Sequence, residues 1–236
     1  MHPQPRVPEG SSDEVNRAVS EFLLRLCHDL RSGLRSIQPR AEMLTKTGQA
    51  GPAEEFQGHL DFLLAGTRQI DAILSGLAGY AIAMQIDTAR FQNIPLDAVL
   101  RNALIKLERE HPGISARVRC GALPRVTGDA DRLQQVFEVL IRNSMERSTG
   151  VDPRIEIDAE ADALSWMISI KNDAALLEAA ELDRLFRPLE RGSRRTTDDP
   201  GFAMATCRVI VERHGGRIRA EPIGRAGCAF RFTLPV

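Results

Sequence analysis

His28 and Asp29 stand side by side in the segment FLLRLCHDLRSGL, residues 22–34, with Arg31 and Arg35 close behind. Leu26, Leu30 and Leu34 recur every four residues and define the apolar stripe of a helix. That register turns His28 roughly 160–200° away from the stripe, toward solvent. An exposed imidazole, with its ordinary pKa near about 6.5, is a nucleophile at neutral pH. Asp29 beside it can accept a proton, or fix the tautomer that leaves the other ring nitrogen free to attack phosphorus. Arg31 and Arg35 supply donors for phosphoryl oxygens. A lone histidine on a helix is ordinarily just a surface residue, so the elements around this one decide its meaning.

The stripe through Leu23, Leu26, Leu30, Leu34, Ile37, Ala41 and Leu44 predicts one long helix, broken by Gly48, Gly51 and Pro52. A second stripe follows through Phe56, Leu60, Leu63, Ile70, Ile73, Leu77 and Met84. Two long helices joined by a short loop make an antiparallel hairpin. A hairpin cannot bury a full stripe on each helix by itself, so a homodimer forming a four-helix bundle is expected.

After Ala89 the texture is mixed. Helices are expected over Pro95 to Glu110, Asp129 to Arg147, Glu178 to Leu185 and Phe202 to His214. Strands are expected over Ala116 to Cys120, Arg154 to Ala159, Leu164 to Lys171, Arg217 to Glu221 and Ala229 to Leu234. The nearly all-apolar LSWMISIK reads as a central strand. The fold class is α+β: a helical hairpin, then an α/β sandwich with helices on one face of a sheet. The expected organisation is a disordered lead-in over 1–12, the hairpin over 13–88, and the second domain over 89–236.

Composition narrows the function classes. The 236 residues carry 31 basic and 32 acidic side chains, a net charge of −1, so no bulk field favours nucleic acid or anionic membrane. No apolar run reaches the ~18–20 residues of a membrane span, and the start lacks a secretory h-region. Cys27, Cys120, Cys207 and Cys228 include no C-x-x-C pair, which argues against zinc and disulfides and for the cytoplasm, with the thiols mostly buried. His214 ends a helix, where a cation suits the dipole, and reads as structural. His2, His59 and His111 carry no signal above a surface position, and Trp166 reads as core.

The segment around His28 resembles the H-box of two-component histidine kinases, F-x-x-x-x-S/C-H-D/E-L-R/K-x-P-L, with Gly33 in place of the proline. The resemblance implies that His28 is the phosphoacceptor with Asp29 and Arg31 assisting, and that Ser32 stands where a polar side chain positions water for phosphatase activity. It runs along the chain from about residue 14. LPRVTGDADRLQQVF, residues 123–137, is similar to the approach to the family's N-box. In that box Asn143 matches the position that coordinates Mg²⁺, while Val139 replaces the first Asn and Glu146 replaces a phosphate-contacting Lys.

The D-x-G-x-G box corresponds to Asn172-Asp-Ala174-Ala-Leu176, with Asn172 in place of the adenine-binding Asp and both glycines gone. The lid GSRRTTDD offers Arg194 and Arg195 to phosphates, and the last glycine box reads Gly201-Phe-Ala203-Met-Ala205. The framework matches while nucleotide-contacting positions change in three boxes. Glu146 reverses charge beside a polyanion, and Leu176 denies close ligand approach. The family resemblance thus implies a phosphoryl group carried on His28 and exchanged with an Asp of a response-regulator receiver, with Mg-ATP use in doubt. Two other readings stand beside it: an active sensor kinase that autophosphorylates from Mg-ATP, and a non-catalytic receiver-docking module.

Overall fold

The computed structural model describes residues 26–31, 34, 37, 39, 41, 43, 53–147, 154–173, 182, 184–190, 201–224 and 227–236. The expected lead-in, most of the expected helix at Glu178 to Leu185, and Ser32, Arg194 and Arg195 lie outside them. The described residues fall into two compact units, one ending at Ser75 and the other beginning at Gly76.

In the first unit, residues 26–31 are helical, as are residues 34, 37, 39, 41 and 43. Helix α1, Ala53–Met84, starts in this unit and runs on into the second. The expected stripe is real but only partly covered. Leu26 and Ile73 are buried, whereas Leu34 is 58% and Phe56 44% exposed; Leu64 and Leu74, outside the expected stripe, are exposed as well. His59, expected at the surface, is buried.

The second unit is the α/β sandwich. Its sheet has the order β2-β4-β5-β7-β6, built from β2 (Val118–Cys120), β4 (Ile155–Ala161), β5 (Ser165–Asn172), β7 (Cys228–Pro235) and β6 (Ile218–Pro222). Only the β2–β4 pair is parallel. Strand β5 occupies the centre, as its apolar run requires. Alternation sends Ile155, Ile157, Ile168, Ile170, Phe230 and Phe232 to the core. The opposite face of the antiparallel strands is mostly polar, with Met167 and Ala229 among its charged and hydroxyl side chains. Trp166 is half-buried at the margin of the core. A separate two-stranded ladder pairs β1 (Gln92–Pro95) with β3 (Arg125–Gly128), Ile94 opposite Val126. Four-residue strands give too little alternation to be read from sequence.

Helices α2 (Leu96–Glu110), α3 (Ala130–Arg147) and α4 (Ala203–Arg213) contribute to the same core. α2 begins after Pro95, whose fixed φ suits a helix entrance. It buries Leu96, Val99, Leu100, Ala103 and Leu107 at helical spacing. α3 opens on Asp129, whose Oδ1 accepts from the Arg132 backbone N–H at 3.1 Å, a side-chain cap. It buries Leu133, Val136, Phe137, Leu140 and Ile141, and Phe137 meets Phe232 edge-on at 5.8 Å. Truncating either ring to Ala should cost about 3–5 kcal/mol. Outside the core α2 and α3 are tied by Lys106 to Glu138 at 2.7 Å and Arg142 to Glu110 at 2.5 Å.

His214, just beyond α4, overturns the expectation of a cation at a helix end. It is 4% exposed, and its Nε2 accepts from the Asp129 backbone N–H at 3.0 Å. Its Nδ1 lies 2.7 Å from the Ile210 carbonyl, to which it must donate. Phe91 stacks on the ring at 4.3 Å. Gly128 admits the imidazole, because a Cβ there would stand 2.7 Å from His214 Cδ2. One nitrogen accepts and one donates, so the ring is neutral. Burial holds its pKa below the usual 6.5, against the opposing pull of the Ile210 hydrogen bond and the Asp129 charge.

The cysteines depart from expectation too. Cys207 and Cys228 are buried, but Cys27 and Cys120 reach the surface. Partial burial first, then the Asp97 and Asp158 carboxylates, push the Cys120 thiol up to about 11, which leaves it protonated and unreactive at neutral pH.

The depressed His214 pKa fixes the sign of one pH dependence. The unfolded imidazole takes up a proton below about pH 6.5 while the folded one resists it. Stability from this residue is therefore complete above that pH and is lost as pH falls toward the folded pKa. Urea midpoints measured from pH 7.5 down to 5.5 should decline, and in His214→Gln that decline should be shallower.

Candidate functional site

His28 sits in the helical residues 26–31, with its side chain 72% exposed and that of Asp29 22% exposed. Its Nδ1 lies 3.2 Å from Asp29 Oδ1. A carboxylate only accepts at neutral pH, so this contact places the proton on Nδ1 and leaves the Nε2 lone pair free. The arrangement is that of an accessible nucleophile with its tautomer held by a neighbour. Arg31 is exposed on the same helical stretch.

The other candidate residues gather in the second unit. Val139, Asn143 and Glu146 follow one another at helical spacing along α3 and share a face. Asn143 is half-buried and Glu146 exposed. Asn172 ends β5 and is 6% exposed. Its Nδ2 donates to Ser144 Oγ at 2.8 Å, and that hydroxyl donates to the Leu140 carbonyl at 2.8 Å. Ser144 has a single hydroxyl proton, and Leu140 takes it. The group that meets the hydroxyl from β5 must then be a donor, which fixes the amide orientation.

Gly201 precedes α4 with φ +96°. A Cβ there would lie 2.9 Å from the Glu190 carbonyl oxygen, and the Gly201 carbonyl accepts from the Leu189 backbone N–H at 3.0 Å. Glycine is therefore required by the loop's own backbone, whatever else this position does. Ala203 begins the helix, and the preceding Phe202 offers no side-chain cap. Phe202 is 1% exposed, and a Cβ on Gly76 would be 2.8 Å from its ring; Tyr80 lies 6.2 Å away. Among the described residues no group of three or more His, Cys, Asp or Glu could hold a metal ion, and no helix is long and apolar enough to cross a membrane.

Residues 128–236 match the model of the "Histidine kinase-, DNA gyrase B-, and HSP90-like ATPase" family. The Synechocystis "Phytochrome-like protein Cph1" is 24% identical over 227 residues, 95% of this chain and 30% of its own length. The Escherichia coli "Sensor protein KdpD" is 27% identical over 98% of this chain and 26% of its own length. These matches support the two-component histidine kinase family. The chain spans less than a third of the length of these curated relatives. Among solved structures, histidine kinase ThkA in complex with response regulator TrrA shares the fold at TM-score 0.65, with 19% identity over 98% of this chain and 68% of ThkA. The Acinetobacter baumannii histidine kinase AdeS does so at 0.61, with 18% identity over 88% of this chain and 97% of its own.

Against the histidine kinase boxes, the N-box falls on α3, the next box opens at the end of β5, and the last glycine box opens α4. The fold brings Asn143 and Asn172 near one another through Ser144, the neighbour of one and the partner of the other. Ser144 was not among the sequence candidates. The signal was present, since the family's N-box carries Ala after its second Asn and this chain carries a hydroxyl. Phe202 was also missed, and its packing against Gly76 and Tyr80 has no trace in the box pattern.

Two stability outcomes follow from these contacts. Ser144→Ala removes the acceptor for a buried amide N–H and should lower unfolding free energy by about 1–3 kcal/mol. Asn172→Leu in the Ser144→Ala background should recover part of that loss in chemical denaturation, because both polar partners are then absent. Gly201→Ala should destabilise through its positive φ and the Glu190 clash, and do so with no nucleotide present.

Proposed function

We propose that this chain is a histidine phosphotransferase of a two-component phosphorelay. His28 takes a phosphoryl group from an aspartyl phosphate of one response-regulator receiver and passes it to the Asp of another, without Mg-ATP. The observation that carries the reading is the contrast between an exposed His28 with Nδ1 on Asp29 and a nucleotide face with altered contacts. ThkA, which shares the fold, was solved with a response regulator, and that supports a receiver as the partner.

In the transfer, the Nε2 lone pair attacks phosphorus and a P–N bond forms. The P–O bond to the receiver carboxylate breaks, and the carboxylate leaves with the electron pair. The ring gains positive charge while Nδ1 keeps its proton, and Asp29 offsets that charge at 3.2 Å. Arg31 is the described cation nearest in sequence to the transferred group, and Ser32 is the candidate for positioning the water that would hydrolyse the receiver's aspartyl phosphate to carboxylate and inorganic phosphate.

The residues present do not fit Mg-ATP. Asn143 is the one N-box asparagine kept, with Val139 in place of the first. Glu146, one turn on, sets a negative charge beside the triphosphate's position. Asn172 offers a neutral amide where the family has a carboxylate, and Ala203 adds a side chain at the helix entrance. Arg194 and Arg195 remain candidates for phosphate contact, and Asn143 for Mg²⁺, only in the second reading, an ATP-dependent autokinase. What favours that reading is the retained Asn143 within an intact ATPase framework.

A homodimer completes the first unit in this proposal. Leu34, Phe62, Leu64 and Leu74, from 44% to 58% exposed in the single chain, would be covered by a second copy.

Calorimetry with Mg-ATP separates the two readings. No binding tighter than about 100 μM is expected; tighter binding with label appearing on His28 establishes the autokinase instead. Phosphotransfer from a phosphorylated receiver should vanish in His28→Ala and fall by about 10²-fold in Asp29→Asn. Undiminished transfer in His28→Ala would sink both readings.

A further inference from the structure

From Gly76 onward helix α1 belongs to the second unit, and its last turns carry Gly76, Tyr80 and Ala83 along one face. Ala83 is fully buried in that unit's core. Tyr80 is half-buried, its ring tilted 55° to that of Phe202 at 6.2 Å. A Cβ on Gly76 would stand 2.8 Å from Phe202 Cδ2 and 3.0 Å from Phe202 Cβ. Because that clash reaches Cβ as well as the ring, turning the side chain about χ1 does not relieve it. Glycine is what lets the ring approach the helix backbone. A Cβ on Gly79, by contrast, would meet nothing within 4 Å.

Phe202 is the residue that enters α4. It is buried and makes no side-chain cap, and its carbonyl accepts the Thr206 N–H at 2.8 Å, closing the first turn. Just before it, the Gly201 carbonyl accepts from the Leu189 N–H at 3.0 Å, with Gly201 at φ +96°. Burial and then the Glu212 charge hold the Tyr80 hydroxyl above its usual pKa, with Arg208 opposing, so the tail of α1 lies beside the Arg208–Glu212 pair of α4. A helix entrance leaves backbone N–H groups without intrahelical partners and frays unless something restrains it. Here the restraint is apolar, and it comes from α1.

We infer that Phe202 is a latch through which the tail of α1 fixes the entrance of α4 in the absence of any ligand, and that a shift of α1 is what frees it. α1 starts in the first unit, so it is the element by which a change there reaches the glycine box at the head of α4. None of the latch residues carries or contacts the phosphoryl group in the proposed transfer, and the latch stands or falls separately from that reading.

Amide hydrogen exchange on the full chain without nucleotide, resolved by residue, tests it. In the parent, the Thr206 amide should be protected about as well as that of Ile210 in mid-helix. Gly76→Ala should speed exchange at Thr206 by roughly tenfold or more while leaving Ile168 in the central strand unchanged. Gly79→Ala, which adds the same methyl group where there is room, should change neither. Phe202→Ala should also free Thr206, and adding Gly76→Ala to it should speed exchange by less than about twofold more, because the ring that the methyl displaces is already gone. Overturning results are an unprotected Thr206 in the parent, equal behaviour of Gly76→Ala and Gly79→Ala, independent effects in the double variant, or equal speeding at Ile168. If circular dichroism shows Phe202→Ala to be unfolded, Phe202→Leu replaces it. Exchange at Thr206 should then be faster than in the parent, and an unchanged rate would count against the latch.

Discussion

Helix α3 is fixed by two buried polar contacts, and much of the second unit depends on them. Near its start, the Asp129 N–H reaches His214 Nε2 from a point 85 residues away in sequence. Near its end, Ser144 takes the Asn172 N–H from β5. Between these points Leu133, Phe137, Leu140 and Ile141 fill the core without room to slide. A buried polar pair is costly to separate and tolerates little displacement, so it specifies position where apolar packing alone would be more permissive. Val139, Asn143 and Glu146 therefore face one way, at a height on the sheet set by these hydrogen bonds.

That separation explains how framework and site can part company within one sequence. The core alternation of β5 and β7 and the apolar stripes of α2, α3 and α4 are under packing constraints. The face of α3 is constrained only if a ligand sits on it. Exchange of Asn for Val at 139 or Lys for Glu at 146 costs the fold little, because both positions lie outside the fully buried set. Gly201 stays because Glu190 and Leu189 require it, while Ala203, one turn-position later, has no comparable backbone restraint. At these two positions the choice of residue follows local backbone geometry more closely than nucleotide chemistry.

The same distinction separates what was legible in the sequence from what was not. Long periodic elements were readable: α1, α3 and the central β5 carry apolar repeats that burial demands, and their ends fall within a few residues of expectation. His28 was readable as exposed because the stripe beside it is regular. The β1–β3 ladder was not, because four residues per strand give no period to detect. His214 was placed as structural from its helix end, but its charge state was misread. Neutrality depends on Asp129 and Phe91, which only the tertiary fold brings against it. His59 was likewise read from local polarity, and its burial depends on packing that local sequence does not encode.

Charge placement divides along similar lines. On α2 and α3, Lys106 and Arg142 pair with Glu138 and Glu110, so the helical layer is compensated within itself. The outer face of the sheet is compensated in the same way: Lys171 reaches Asp158 at 2.9 Å, Arg119 stands in register beside Glu156, and Glu221 takes both Arg219 and Arg231. A solvated face needs only to be polar, and opposite signs side by side along a ladder are the arrangement that costs it least. At physiological salt, charges farther apart than about 8 Å are largely screened, so each of these pairings acts within its own neighbourhood, and the position of α3 is left to the two buried polar contacts.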